Sequence, residues 1–133
     1  MKRSARTALR TLLPLAGAAA LALVAGPGAR ADAAACGGAT CVQVEGSGRY
    51  VLRVNVSPAP DGDFFGHFRL SGAGLNTTSA VQHWRHRQRY TVALGRVVPA
   101  GSVICAEGWE HLKNDRQEEK QYPHGRACVR LHG

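Results

Sequence analysis

The sequence lacks the motifs that identify the commoner enzyme classes. It contains no G-x-S-x-G nucleophile elbow, no glycine-rich phosphate-binding loop, no coiled-coil heptad and no internal repeat. Its four cysteines are expected to pair, and a disulfide sulfur cannot act as a thiolate nucleophile. We therefore predict no catalytic residue, no cofactor and no metal, in a protein that is not an enzyme.

Acidic residues are absent before Asp32, and this absence is typical of an export signal. Basic residues at positions 2, 3, 6 and 10 precede a mostly apolar run over residues 11–26, which Pro27 and Gly28 end. Ala31-Asp32-Ala33 then fits the A-x-A cleavage pattern. We therefore predict a signal peptide over residues 1–33 and a single secreted domain over residues 34–133.

Two other interpretations of this segment are weaker. A transmembrane anchor needs about 20 apolar residues, whereas this run is shorter and contains Pro14. A lipoprotein attached through Cys36 would need small and apolar residues before the cysteine, where Arg30 and Asp32 stand. The prediction is an extracellular domain without a membrane span.

Cleavage would halve the formal charge. The whole chain has 17 Lys and Arg residues against 9 Asp and Glu residues, a net charge of +8. Residues 1–33 hold five of the basic residues and one of the acidic ones, which leaves 12 and 8, a balance of +4. So moderate an excess does not predict a nucleic acid partner.

All four cysteines lie in the predicted secreted domain, and an even count in a small exported domain favours disulfides. Of the three possible pairings we favour Cys36–Cys41 and Cys105–Cys128. Gly37-Gly38 lets the first pair close a tight loop, and the second pair joins two strand-like segments. A zinc site is disfavoured because the paired cysteines of such sites are usually two to four residues apart, and Cys105 and Cys128 each stand alone.

Apolar and polar residues alternate with period two along most of the predicted domain, which indicates β-strands. The alternation covers residues 41–45, 50–57, 64–70, 81–94, 103–109 and 126–131. In residues 50–57 it predicts that Tyr50, Leu52, Val54 and Val56 share one face. We predict an all-β fold of short strands, a small antiparallel β-sandwich of immunoglobulin-like type with two disulfides.

Two segments interrupt this pattern. Residues 71–80 are rich in Gly, Ser, Thr and Asn and are predicted to form a loop or a frayed edge. Residues 110–122 are densely charged, and Asp115 and Glu118 have capping-box spacing that permits a turn or two of helix. A solvated hairpin loop is the preferred prediction for this second segment.

Three arginines are the first candidate binding residues. On a strand over residues 81–94, Arg85, Arg87 and Arg89 would form one stripe of guanidinium groups, which bind phosphates and carboxylates. The alternative, which we favour, is that the stripe is a solvated face opposite core residues Tyr90, Val92 and Leu94.

Aromatic and histidine residues supply the other candidates. Trp109, with Phe65 and Tyr122, would make a recognition patch if the three clustered, although Trp109 could equally belong to the core. His83 and His86 fall on opposite faces of a strand, so we do not expect them to share a metal. Glu107, Glu110 and His111 surround Trp109 in sequence, without a motif that fixes their geometry.

Several segments resemble small secreted, cysteine-paired proteins of Streptomyces-like actinobacteria. They include Gly46-Ser47-Gly48-Arg49-Tyr50-Val51, Gly66-His67-Phe68-Arg69-Leu70, and the stretches around Cys105 and Cys128. The resemblance covers most of residues 36–131, with a longer charged insert at residues 113–121. It implies bacterial origin, export and paired cysteines, and it carries no catalytic residues.

Together these observations favour an extracellular, non-enzymatic binding protein, an inhibitor or interaction module, that is monomeric. Its partner would be an extracellular protein or an anionic polymer of the cell envelope. A structural protein of the cell wall or spore surface is the first alternative, and a small secreted hydrolase is the second. A binding protein should have an exposed aromatic or basic patch, and a structural protein should have flat, unpaired sheet edges that associate with other chains. A hydrolase should have a concave pocket.

Overall fold

The computed structural model describes residues 33–132, and these residues form nine antiparallel β-strands without a helix. Residues 1–32 of the predicted signal peptide lie outside the described residues, and its last residue, Ala33, begins the first strand. The strands are β1 (Ala33–Gly37), β2 (Thr40–Ser47), β3 (Tyr50–Pro58), β4 (Phe64–Gly72), β5 (Leu75–Thr78), β6 (Gln82–Trp84), β7 (Tyr90–Val97), β8 (Val103–Lys113) and β9 (Glu119–Arg130).

The strands form two sheets, which confirms the predicted all-β sandwich. The first sheet has the order β1-β2-β3-β7, and the second has the order β5-β4-β8-β9, with β6 also paired to β4. Strands β2, β3 and β7 therefore correspond to A, B and E of an immunoglobulin-like sandwich, and β4, β8 and β9 correspond to C, F and G. The chain crosses between sheets after β3 and around β7 rather than pairing every strand with its neighbour in sequence.

The core lies between the two sheets and follows from the alternation of each strand. Val42, Val44, Val54 and Val56 from the first sheet are fully or almost fully buried. Phe68, Leu70 and Ile104 from the second sheet have no exposed surface. Each such side chain contributes about 1.5–3 kcal/mol through its burial. The predicted core positions Tyr90, Val92 and Leu94 are partly buried and pack against this cluster.

Both predicted disulfides are present. Cys36 bonds to Cys41 and Cys105 bonds to Cys128, and the described residues contain no free cysteine. Each bond joins residues that lie directly opposite each other on neighbouring strands of one sheet. The bonds therefore fasten β1 to β2 and β8 to β9, and neither crosses from one sheet to the other.

The prediction that Tyr50 and Leu52 share a face with the buried Val54 and Val56 is wrong. The register of β3 against β7 shifts between Val51 and Arg53, so the alternation changes phase there. Val51 is buried, whereas Tyr50 and Leu52 are 41% and 47% exposed. A bulge adds one residue to a strand, so the side chains before it point to the opposite faces from those that unbroken alternation would give. Sequence alternation alone does not reveal it, because Tyr50, Val51 and Leu52 are all apolar and fit either phase.

The strand predicted over residues 81–94 is also wrong, because the chain turns in its middle. Strand β6 ends at Trp84 and β7 begins at Tyr90. Between them the backbone N–H of Gln88 donates to the carbonyl of Arg85, and Arg87 has a positive φ of 81°. Trp84 ends β6 because its indole N–H donates to the carbonyl of Gly66 and its ring packs against Phe68 in the core.

The charged segment 110–122 forms a hairpin, as predicted, but most of it is paired strand and not solvated loop. Strands β8 and β9 continue into it, and only residues 114–118 form the turn. The Asn114 side-chain oxygen accepts hydrogen bonds from the backbone N–H groups of Arg116 and Glu118. Lys113 and Glu119, which carry opposite charges, face each other across the pair. Cross-strand pairs of this kind stabilise a sheet without apolar residues.

The two sheets approach each other most closely where β1 turns into β2. A Cβ atom on Gly37 would lie 1.8 Å from the carbonyl oxygen of Arg126, and one on Gly125 would lie 2.3 Å from the carbonyl oxygen of Gly37. Gly125 also has a φ of 116°, which side-chain-bearing residues rarely adopt. Glycines at both positions therefore permit the contact of β1 with β9.

Candidate functional site

The outer face of the second sheet carries an unusual set of side chains. We define this outer face by Phe65 and His67 on β4 and by Trp109 and His111 on β8. On β4 the alternate residues Phe64 and Phe68 point into the core. His67 lies directly opposite Trp109 in the register of β4 and β8. The alternation that builds the core thus brings two aromatic residues and two histidines together on the solvent side.

Trp109 lines a groove of about 330 Å³ between β8 and β9. The remaining lining residues are Glu107, Gly108, Pro123, Gly125 and Arg126. The register of β8 against β9 shifts between Glu107 and Trp109, so that Trp109 faces Pro123. Pro123 lacks a backbone N–H, and a bulge on an edge strand accommodates such a residue. The groove therefore lies at the bulge between β8 and β9.

Polar contacts hold Trp109 in place at one wall of the groove. Its indole N–H donates to a carboxylate oxygen of Glu107 at 3.2 Å. The other oxygen of Glu107 lies 3.6 Å from Nε of Arg126. Trp109 is half-buried, and the side chain of Arg126 is 65% exposed. The groove therefore presents an indole ring beside a carboxylate and a guanidinium group that both remain within reach of solvent.

His67, His111 and Glu119 form a continuous chain of contacts across three strands. Nδ1 of His67 lies 2.7 Å from Nε2 of His111, and Nδ1 of His111 contacts a carboxylate oxygen of Glu119. His111 is only 8% exposed. Burial, and then the proximity of His111, lower the pKa of His67 below its usual value. This lowering of the pKa favours the neutral form of the His67 imidazole.

Phe65 separates this histidine pair from His83 on β6. The rings of Phe65 and His83 are 4.9 Å apart, and those of Phe65 and His111 are 6.3 Å apart at right angles. Phe65, His83 and His111 line a shallow depression of about 340 Å³, together with Lys113 and Glu119. The outer face is therefore concave at two neighbouring places.

The structure brings together two of the three aromatic residues that were predicted as a recognition patch. Phe65, which is 39% exposed, and Trp109 both lie on the outer face. Tyr122 is 45% exposed but pairs with Glu110, whose register position belongs to the opposite side of the hairpin. Of the acidic neighbours in sequence, Glu107 contacts Trp109 directly.

Arg85, Arg87 and Arg89 lie in the exposed turn between β6 and β7 and do not form the predicted stripe on a strand. The charge of Arg89 contributes to lowering the pKa of Glu45, after the larger effects of Arg53 and Asn55, so Arg89 lies near an acidic group. Trp109, the fourth candidate residue, lies on a different element, β8. Binding of an anion by the three arginines stays a prediction.

We expect these arginines to make little difference to polyanion binding. Three exposed arginines contact few phosphates, and association of this kind is typically no tighter than about 10⁻⁴–10⁻⁶ M. The salt concentration at which the protein elutes from heparin should therefore be nearly the same when Arg85, Arg87 and Arg89 are all changed to serine. A markedly earlier elution of the variant would instead establish the arginines as an anion-binding group.

Of the histidines singled out in the sequence, His111 belongs to the site and His83 lines the depression beside it, whereas His86 lines neither the groove nor the depression. His83 lies on β6, and His86 lies in the turn, where its backbone N–H donates to Asp63. Within residues 33–132, no group of three or more His, Cys, Asp and Glu side chains is arranged to hold a metal ion. Sequence inspection missed His67 and Glu119, because their approach to His111 depends on the registers of β4 with β8 and of β8 with β9.

The fold and the site define a small β-sandwich with immunoglobulin-like strand order and a disulfide across each of two strand pairs. No family model, curated protein or solved structure matches this chain. The resemblance to small secreted actinobacterial proteins therefore stays a prediction. Residues 33–132 include no helix that is long and apolar enough to cross a membrane.

Proposed function

We propose that this protein is an extracellular binding module that recognises another protein through the groove at Trp109. The observation that carries the proposal is the position of Trp109, half-buried in a groove of about 330 Å³ on the outer face of the sheet. A buried structural tryptophan would point into the core, where Phe68, Leu70 and Ile104 lie. Trp109 faces outwards instead, with its indole N–H held by Glu107.

The chemistry of the groove favours a protein as the partner. Tryptophan and arginine are the residues most often found to dominate the energy of protein interfaces, particularly in pockets from which water is excluded. The apolar part of the groove, formed by Trp109 and Pro123, fits an apolar side chain. Glu107 and Arg126 at its wall offer an acceptor and a donor to the surrounding main chain or polar groups.

The rest of the molecule supports a role outside the cell. Both disulfides join neighbouring strands, and such bonds form and persist in oxidising compartments. A domain of about one hundred residues buries only about two thirds of the surface that its unfolded chain exposes, so covalent cross-links matter to it. An interaction module that works in the surroundings of the cell needs this stability.

The proposal is tested by capture of partners with the immobilised protein from culture supernatant and from cell-wall fractions. Trp109→Ala removes the indole ring from the groove, and loss of a dominant interface residue weakens binding by about 2 kcal/mol or more, roughly thirty-fold. We expect a partner that the wild type enriches to disappear from the Trp109→Ala sample in quantitative mass spectrometry.

Tyr50→Ala is the matched control, because Tyr50 is an exposed aromatic residue on the first sheet, away from the groove. It should leave the captured proteins unchanged. If wild type and Trp109→Ala retain the same proteins in the same amounts, the groove does not bind them and the proposal fails. Retention by the polysaccharide of the wall fraction alone would favour the envelope polymer as partner.

A further inference from the structure

The histidine pair on the outer face has a geometry that the binding proposal does not use. Two imidazole nitrogens, Nδ1 of His67 and Nε2 of His111, point at each other across 2.7 Å. Each ring comes from a different strand, and the register of β4 with β8 fixes their approach. Imidazole nitrogens are the ligands that zinc and copper ions prefer among neutral side chains.

Glu119 determines which nitrogen of His111 is free. A carboxylate accepts hydrogen bonds only, so its contact with Nδ1 of His111 assigns the ring proton to that nitrogen. Nε2 of His111 is then left with a lone pair directed at His67, which donates its own Nδ1 proton to it. The two rings thus share one proton between two nitrogen lone pairs.

From this arrangement we propose that His67 and His111 bind a divalent transition-metal ion of the zinc and copper class through Nδ1 of His67 and Nε2 of His111. Nδ1 of His67 gives up its proton to solvent and Nε2 of the same ring takes one up, so that both ligands remain neutral imidazoles. Histidine ligands in metal sites almost always donate their second ring N–H to a carboxylate or carbonyl, which orients the ring. Glu119 already makes this contact with His111. It therefore acts as a positioning residue for the metal site.

The surroundings of the pair suit a metal ligand. A ligand nitrogen must be unprotonated to bind, and the contact of Glu119 with Nδ1 of His111 leaves Nε2 of that ring with its lone pair directed at His67. Zn–N bonds of 2.0–2.1 Å in tetrahedral geometry separate two ligand nitrogens by about 3.3 Å. A small rotation of the half-buried His67 ring opens the 2.7 Å separation to this distance.

The described residues supply two ligands and not three, so water completes the coordination. The depression of about 340 Å³ beside His111 offers the space for it. Lys113 also lines this depression, and its ammonium group opposes a cation, whereas the Glu119 carboxylate attracts one. The site is therefore expected to bind one ion per chain with modest affinity and an open coordination position.

Isothermal titration calorimetry with zinc chloride at pH 7.5 tests this inference on the metal-free, disulfide-bonded protein. We expect one ion to bind per wild-type chain. His67→Gln should abolish the heat released by zinc binding at this site. Glu119→Gln should weaken the zinc affinity by about 10–100-fold, the usual effect of losing the hydrogen-bond partner of a ligating histidine. His86→Gln, which changes an exposed histidine in the turn, should bind like the wild type.

Melting temperatures in EDTA establish that the variants are folded, and a rise in melting temperature on adding zinc should be seen for the wild type and not for His67→Gln. His67 is the preferred ligand to change because it is more exposed than His111 and its loss disturbs packing less. A wild-type protein that binds no zinc, or a His67→Gln variant that binds it equally, would overturn the inference. Neither result bears on the groove at Trp109, which needs no metal.

Discussion

Replacing Cys128 by serine should lower the melting temperature of the protein more than replacing Cys36 by serine. The Cys105–Cys128 bond spans 23 residues of sequence and the Cys36–Cys41 bond spans 5. Closing a longer loop removes more conformational entropy from the unfolded chain, so the two bonds contribute about 3 and about 2 kcal/mol respectively. A difference of about 1 kcal/mol corresponds to about 4–8 °C in a domain of this size.

Each single change leaves an unpaired cysteine, so the comparison needs a control for the free thiol. The double variants Cys105→Ser with Cys128→Ser and Cys36→Ser with Cys41→Ser remove both partners and should keep the same order. Thermal unfolding followed by circular dichroism measures all four. A lower melting temperature for the Cys36 variants would show that the short loop contributes more than its entropy predicts.

Gly125→Ala should be among the most destabilising single substitutions in the domain. Its Cβ atom would lie 2.3 Å from the carbonyl oxygen of Gly37 and 2.8 Å from the backbone nitrogen of Ala39, and its φ is 116°. These neighbours are backbone atoms, so β1 and β9 must move apart to make room. We expect a loss of about 3 kcal/mol or more in the free energy of unfolding, measured by urea denaturation.

Gly101→Ala is the matched control for this substitution. Gly101 also has a positive φ, of 78°, but nothing lies within 4 Å of the position that a Cβ atom would take. Its cost is therefore limited to backbone strain, about 1–2 kcal/mol. Equal losses for the two variants would mean that the close approach of β1 and β9 gives way easily.

The alternation of apolar and polar residues predicts this fold well where one face of a strand is buried along its whole length. In β4 the alternation predicted over residues 64–70 holds along the strand, and Phe64, Phe68 and Leu70 are buried on one face. The prediction fails at Val51 and between Trp84 and Tyr90, where a bulge and a turn interrupt the period. Such interruptions depend on pairing with a distant strand, which local sequence does not contain.

The candidate site, too, was predicted from sequence only in part. Trp109 was singled out with Phe65 and Tyr122 as a recognition patch, and Glu107, one of its acidic neighbours in sequence, does contact its indole N–H. His67 and His111 are 44 residues apart and carry no motif. Their contact arises only because β4 and β8 align with a particular register, so only the folded chain brings them together. Residues 110–122 do form the predicted hairpin, but its paired strands extend to Lys113 and Glu119. Their length was not predicted, because opposite charges and not apolar alternation mark this part of the pair.

The placement of the two disulfides has a consequence for how the chain responds to cleavage. Each bond closes a loop within a single strand pair, so residues 42–104, which include β3 to β7, belong to no covalent ring. A protease that cuts once in this stretch leaves two pieces held together by packing and hydrogen bonds alone. In denaturant these pieces separate even without a reducing agent. A cut among residues 106–127 leaves the pieces joined through Cys105 and Cys128, so non-reducing electrophoresis would distinguish the two kinds of nick.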